Sequence, residues 1–201
     1  GIGATALSSN TTGQYNTAVG GQALQANTTA SSNTAVGLNA LLVNTTGAQN
    51  VAVGTFALDA NTTGSSLTAV GYNAGSNNTT AANTTVIGHN AGDAITTGNN
   101  NVAVGMSAGS NLTTGNNNVS IGINNLYQAD GGANNVAVGS GAGAAVTSGY
   151  SNTMIGVNAG MSISTGYNNI CIGLNSNVGS GGGSANSVTL GDGNITDLRC
   201  A

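Results

Sequence analysis

The 201-residue chain contains no Pro, no Trp, no Glu and no Lys, and Arg199 is its only strong cation. Charged residues make up 3% of the chain, against about 25% in an average soluble domain. Acid–base catalysis needs titratable groups, and five Asp with a single His are too few to suggest an enzyme. No catalytic residue, cofactor site or metal cluster is expected. Nucleic-acid binding needs cations to neutralise phosphates, so no nucleic-acid partner is expected either. No apolar run approaches the ~18–20 residues of a membrane-spanning helix. Even 136–146 is broken by Gly and Ser, so membrane insertion is not expected. Two cysteines, Cys171 and Cys200, form neither a disulfide framework nor a metal spacing. The chain opens at Gly1 without a Met or a basic-then-apolar leader, as expected for part of a longer or processed protein.

What is abundant is glycine, 34 residues, and it is spaced. Gly3, Gly20, Gly37, Gly54, Gly71, Gly88, Gly105, Gly122, Gly139, Gly156 and Gly173 stand 17 residues apart without a slip, and Gly191 follows one residue late. A globular domain tolerates insertions between elements, whereas stacked coils of fixed circumference do not. The period therefore predicts a repeat architecture.

Around each anchor Gly the columns are regular. The residue before it is Val19, Val36, Val53, Val70, Ile87, Val104, Ile121, Val138, Ile155 or Ile172. Two places before that stand Thr17, Thr34, Val51, Thr68, Thr85, Val102, Val119, Val136, Thr153 and Ile170. Between them lies a mostly small column, with Ala18, Ala35 and Ala52 replaced later by Val86, Ser120, Met154 and Cys171. β-Branched residues at alternate positions, bounded by Asn and Gly, predict a strand. The content of Gly, Thr and Asn and the missing 3.6-residue period exclude helices.

Each unit is too short to be a domain. It is expected to make one coil of an all-β, parallel β-solenoid (β-roll): a strand before Gly, a turn, a second short strand and a Thr-Thr-Gly return. Twelve coils at ~4.8 Å would run about 55–60 Å. Repeats are assigned to 1–176, with a degenerate C-terminal cap or junction over 177–201. The Val/Ile column just named is expected to be the structural core, and the Asn column beginning Asn16, Asn33 and Asn50 to stack into amide ladders.

Two further columns trade with each other. Leu7, Leu24, Leu41 and Leu58 stand four places after the anchor in early coils, with Asn10, Asn27, Asn44 and Asn61 three places later. Later coils reverse this, pairing Gly92, Gly109, Gly143 and Gly160 with Ile95, Leu112, Val146 and Ile163. The two positions are inferred to supply one side chain to one core volume, since both would overpack it and neither would leave a void. Only the coil with Gly75 and Asn78 has neither, which predicts a weak spot or a switch between coil types.

Two or three aliphatics per coil are a thin return against backbone ordering. Strand alternation sends the Ala column to the face opposite Val/Ile. A parallel homotrimer, intertwined or side by side, is therefore expected, with the Ala column at the contact between chains. A solvated Ala face on a monomer is the alternative.

Individual residues give weaker signals. His89 follows an anchor and is expected to be solvated. The five Asp form no ladder, only Asp59 and Asp93 sharing a column two coils apart, which leaves at most a loop cation near Asp130 or Asp192. Asn-Thr-Thr triplets match the glycosylation sequon, but the repeat already accounts for them. Tyr150 and Tyr167 occupy one column in adjacent coils and should stack; they are the candidate glycan contacts. Paired Thr rows such as Thr96, Thr97, Thr113 and Thr114 are also what the flat rows of an ice-binding solenoid display; against that reading, turn closure next to Gly accounts for them locally.

The Asn-Thr/Val-Ala-Val/Ile-Gly unit resembles the head repeats of trimeric autotransporter adhesins, and the likeness covers residues 1–176. It implies a left-handed parallel β-roll trimer. The segment from Ser187 to Ala201 is similar to stretches that precede the self-cleaving endosialidase-type chaperone of phage tail fibres and tailspikes. That resemblance implies a trimeric tail-fibre region with a chaperone beyond residue 201. The expected function is thus a structural shaft with a role in host-surface adhesion, located on the virion, the cell surface or outside the cell. Its expected partners are itself and a host-cell surface glycan or protein. A bacterial surface adhesin, an extracellular filament and an ice-binding solenoid are the alternatives.

Overall fold

The computed structural model describes residues 1–179 and 182–194. Eleven three-residue strands lie in one parallel sheet in chain order: β1 (Thr17–Val19), β2 (Thr34–Val36), β3 (Val51–Val53), β4 (Thr68–Val70), β5 (Thr85–Ile87), β6 (Val102–Val104), β7 (Val119–Ile121), β8 (Val136–Val138), β9 (Thr153–Ile155), β10 (Ile170–Ile172) and β11 (Val188–Leu190). The fold is a β-solenoid of 17-residue coils, and no described residue is helical. Each strand pairs with its equivalent one coil on, as in Thr17↔Thr34 and Ala18↔Ala35. The first coil contributes only the Ile2–Val19 bridge, so eleven strands pair rather than the twelve expected. At the other end Ile170 meets Val188, and the extra residue is taken up between Ser176 and Gly182, because Ser164 N–H already donates to the Gly182 carbonyl.

The anchor glycine is dictated by stacking. Gly122 has φ 139°, and a Cβ there would stand 2.6 Å from the Gly139 carbonyl oxygen of the next coil. Only glycine permits both the dihedral and the approach.

The second strand expected in each coil does not form. The residues two and four places after the anchor, such as Gln22 (φ 60°) and Leu24 (φ 52°), are left-handed, which is incompatible with an extended ribbon. Turn bonds alternate there with bonds between coils. Ala23 N–H donates to Gly20 O and Gln25 N–H to Gln22 O, while Leu24 N–H reaches Ala40 O and Ala26 N–H reaches Leu42 O. Another left-handed corner precedes the strand, at Ser32, Asn83, Asn100 and their equivalents. Asn is frequent at these corners because its short polar side chain tolerates that region.

The core assignment is corrected by the burial. The middle residue of β1 through β10 is buried and its two neighbours are not. Val19, Val36, Val70, Ile87, Ile121, Ile155 and Ile172 are 36–40% exposed, and Val53, Val104 and Val138 are half-buried. The lumen instead holds Ala18, Ala35, Ala52 and Ala69 from the strands, and Ala23, Ala40, Ala57 and Ala74 from the turns. A 17-residue lap encloses too narrow a channel for two β-branched side chains per strand, so the small column points inward. The Ala column is accordingly not available as a contact between chains.

Between the Ala columns lies the traded volume. A Cβ on Gly109 would meet Leu112 Cδ1 at 2.7 Å, and one on Gly160 would meet Ile163 Cδ1 at 3.2 Å. The coil of Gly75 and Asn78 is filled by its neighbours: a Cβ on Gly75 would touch Leu58 Cδ2 at 3.0 Å and Val86 Cγ2 at 3.2 Å. Val86 is the one valine in the small column of the strands, and it stands beside the coil that lacks its own aliphatic.

Asn ladders line one wall of the lumen. Asn118 Nδ2 donates to Gly132 O at 2.8 Å, while its Oδ1 accepts from Asn135 N–H at 2.9 Å and Asn135 Nδ2 at 3.2 Å. A second ladder runs Asn10, Asn27, Asn44, Asn61 through bonds such as Asn27 Nδ2 to Asn10 Oδ1, 2.8 Å. It ends at Asn78, where Ile95 takes over the column and Asn61 Oδ1 and Asn78 Oδ1 have no donor.

Candidate functional site: the outer surface of the solenoid

With the lumen filled, any function lies on the outside. The strand face presents two β-branched columns, and the residue after the anchor adds large exposed side chains in seven coils, Leu38, Tyr72, His89, Met106, Ile123, Val157 and Leu174, with Ala4, Gly21, Thr55, Ser140 and Asp192 in the others. Most exposed large hydrophobics among the described residues fall in these columns. Asp59, Asp93 and Asp130 lie elsewhere on the coil, and among the described residues His89 and, in the last coil after Gly191, Asp192 are the acid–base side chains that join Tyr72 in these columns. His89 stacks on Tyr72 at 5.4 Å and 14°, and Tyr72 meets Phe56 edge-on at 6.0 Å. Coil steps of ~4.8 Å, with strand positions two residues apart at ~6.6 Å, give this strip a footprint of roughly 48 by 13 Å.

The tyrosine pair forms as the column predicts. Tyr150 and Tyr167 stack with centroids 5.0 Å apart and planes 3° from parallel, bridged through their backbones. Tyr15, in the first coil, is 84% exposed.

The Thr-Thr pairs divide their work. The first Thr is half-buried, and its hydroxyl donates to the same residue's carbonyl one coil on: Thr45 to Thr62, Thr62 to Thr79, Thr79 to Thr96 and Thr96 to Thr113, at 2.9–3.1 Å. Only the second Thr of each pair points outward, in single file, and Gly131 breaks the file. Four of the sequon matches are closed to a glycan in this fold. Asn27, Asn44, Asn61 and Asn78 are buried, and Asn27 Nδ2 is bonded to Ala30 O and Asn10 Oδ1.

One coil, following Gly122, departs from the repeat most. Asn125 replaces the inward Ala and is satisfied by Ser120 Oγ at 2.8 Å and Ala137 O at 3.0 Å. Tyr127 and Gln128 with Ser107, Asn124 and Ala144 line a shallow depression of about 260 Å³. Asp130 and Gly131 stand where most other coils carry Thr and Thr, and Ala133, like Ala48 and Ala82, stands where the two preceding coils carry Asn99 and Asn116; each change alone looks like drift in the sequence.

No group of three or more His, Cys, Asp or Glu side chains is placed to hold a metal among the described residues. Burial raises the Asp59 and Asp93 carboxyls above the usual range and pushes the buried Cys171 thiol up. Cys200, Asp197 and Arg199 lie outside the described residues, and no described helix is long and apolar enough to cross a membrane. Comparison with protein-family models finds no match, and none is found among curated proteins or solved structures.

Proposed function

We propose that this chain is a non-enzymatic fibre segment: a β-solenoid shaft that assembles as a parallel homotrimer and serves host-surface adhesion, as in a phage tail fibre. The observation that carries the reading is the largely apolar strip along the sheet, free of Asp and Arg from β1 to β10. A monomer typically exposes a largest apolar patch of about 300–600 Å², and a stable interface covers about 800 Å² per partner. A strip of this footprint, roughly 620 Å² in projection, stands at the top of the monomer range and approaches that of an interface, and its most open side chains in the middle coils are 36–49% exposed. Every rung of the sheet pairs within one chain, which favours copies lying side by side over intertwined ones. The interface is then the Val/Ile face, not the Ala column. Three copies, rather than two, and the phage source rest on the resemblance of the repeats and of the stretch after Ser187.

Assembly is tested by light scattering of the chain and of a variant carrying Ile87→Asp and Ile121→Asp. The expected result is three times 19.1 kDa for the chain and a folded monomer for the variant. A folded wild-type monomer at micromolar concentration overturns the assembly, and a dimer overturns the trimer. Antibody labelling of fibres on virions in negative stain tests the location; labelling of bacterial cells instead supports a surface adhesin. The ice-binding alternative draws little support, because in the Thr-Thr pairs the first hydroxyl is spent on a carbonyl, the second forms one interrupted file, and the strand-face Thr are interspersed with Val and Ile.

A further inference from the structure

Tyr150 and Tyr167 cover one face of each other, which leaves the other face of Tyr150 turned along the axis toward the preceding coil. In that coil the same column holds Ala133. Two residues earlier, where Thr80, Thr97 and Thr114 point outward in other coils, stands Gly131. A Cβ on Gly131 would meet nothing nearer than Thr114 Oγ1 at 3.9 Å. Over 131–133, beside the Tyr150 ring, the coil therefore carries only backbone and one methyl group. The next side chains, Thr114 and Asn116, lie two coil steps from Tyr150, roughly 9–10 Å. That gap holds one puckered ring in contact at about 3.5–4 Å on each side.

The rim supplies hydrogen bonding. The outer amide ladder runs from Asn100 to Asn117 to Asn134, each Nδ2 donating to the next Oδ1 at 3.1 Å. It stops at Asn134 because Ser151 takes the following place, so the exposed Asn134 Nδ2 has no protein acceptor. Asp130, exposed in the same coil, turns one carboxylate oxygen to the Thr113 hydroxyl and leaves the other to solvent.

We propose that this notch binds one pyranose ring of a neutral glycan, its C–H face on Tyr150 and its hydroxyls on Asn134 and Asp130. The inference rests on the adhesion reading above and gives it a site. An aromatic face beside an amide donor and a carboxylate acceptor matches a sugar, which is apolar on one face and hydroxylated at its edge. A single shallow site would bind weakly, and repetition in a trimer would supply avidity.

The test is saturation-transfer NMR on the full chain with methyl glycosides of glucose, galactose and N-acetylglucosamine and their oligomers. Transfer to ring C–H protons of at least one sugar is expected, with the tyrosine resonances perturbed. Gly131→Thr with Ala133→Asn restores residues that other coils carry at these places, so it should fold normally, fill the notch and weaken binding at least tenfold. Tyr150→Leu should do the same. The proposal is overturned if none of the sugars binds, or if the filled variant binds as well as the parent. It is equally overturned if either variant changes the oligomer mass, because the notch is then a subunit contact. Host-cell adhesion that survives filling the notch removes this site and leaves the adhesion reading standing. Sugar binding without cell adhesion does the reverse.

Discussion

Gly109 and Leu112 exclude one another's growth: a Cβ on Gly109 would stand 2.7 Å from Leu112 Cδ1, with Ala103 Cβ the next neighbour at 3.5 Å. Gly109→Leu alone should therefore destabilise by about 2–4 kcal/mol, combining overpacking with a left-handed non-glycine residue. Leu112→Asn alone should lose a similar amount through the void it leaves. The double variant recreates the Leu24/Asn27 arrangement and should recover part of the summed loss. Guanidinium melts of the four chains measure the coupling, and strict additivity would refute the shared volume.

The strand's two faces should respond oppositely. Ala52→Leu forces a large side chain into the filled lumen and should cost about 1–3 kcal/mol, whereas Val53→Thr on the outer face should change chain stability by less than about 0.5 kcal/mol. The second change should instead weaken assembly, read as a lower mass at equal concentration.

Asn118 closes three hydrogen bonds with Gly132 and Asn135. Asn118→Ala leaves the Asn135 N–H and the Gly132 carbonyl buried without those partners. A loss of about 2 kcal/mol or more is expected, together with faster amide exchange at Asn135 than at Asn50, whose acceptor Asn33 is intact.

Acid should not unfold this chain by way of Asp59 and Asp93. Both carboxyls are raised by burial, so the folded state binds their protons more tightly than the unfolded chain does. Their contribution to stability is present below the ordinary carboxylate value of about 3.9 and is lost as pH rises through the raised one. Thermal midpoints should rise when the pH is lowered from 7 to about 4, and Asp59→Asn with Asp93→Asn should flatten that slope. A midpoint that falls on acidification in the parent and not in the double variant would contradict the burial of these groups.

Much of the architecture was legible because the repeat is local. An unbroken spacing of anchors is possible only if every lap has one length, and Thr-Ala-Val alternation can build only a strand. The Gly/Leu and aliphatic/Asn exchange was legible for the same reason, since a packed volume leaves its mark on two columns at once. The candidate site was half legible. Tyr150 and Tyr167 announced their stack, but the space beside them depends on Gly131 and Ala133, whose meaning is the absence of a side chain next to a ring 17 residues later.

Chain order alone settled the lap length, the parallel register and the place of each strand, because backbone bonds between identical coils allow no other stacking. Which side of the strand is inside was decided by the closed coil. Alternation separates Ala from Val and Ile without saying which face the ribbon curls around. The narrow lumen accepts the methyl groups, and the β-branched pair is left outside.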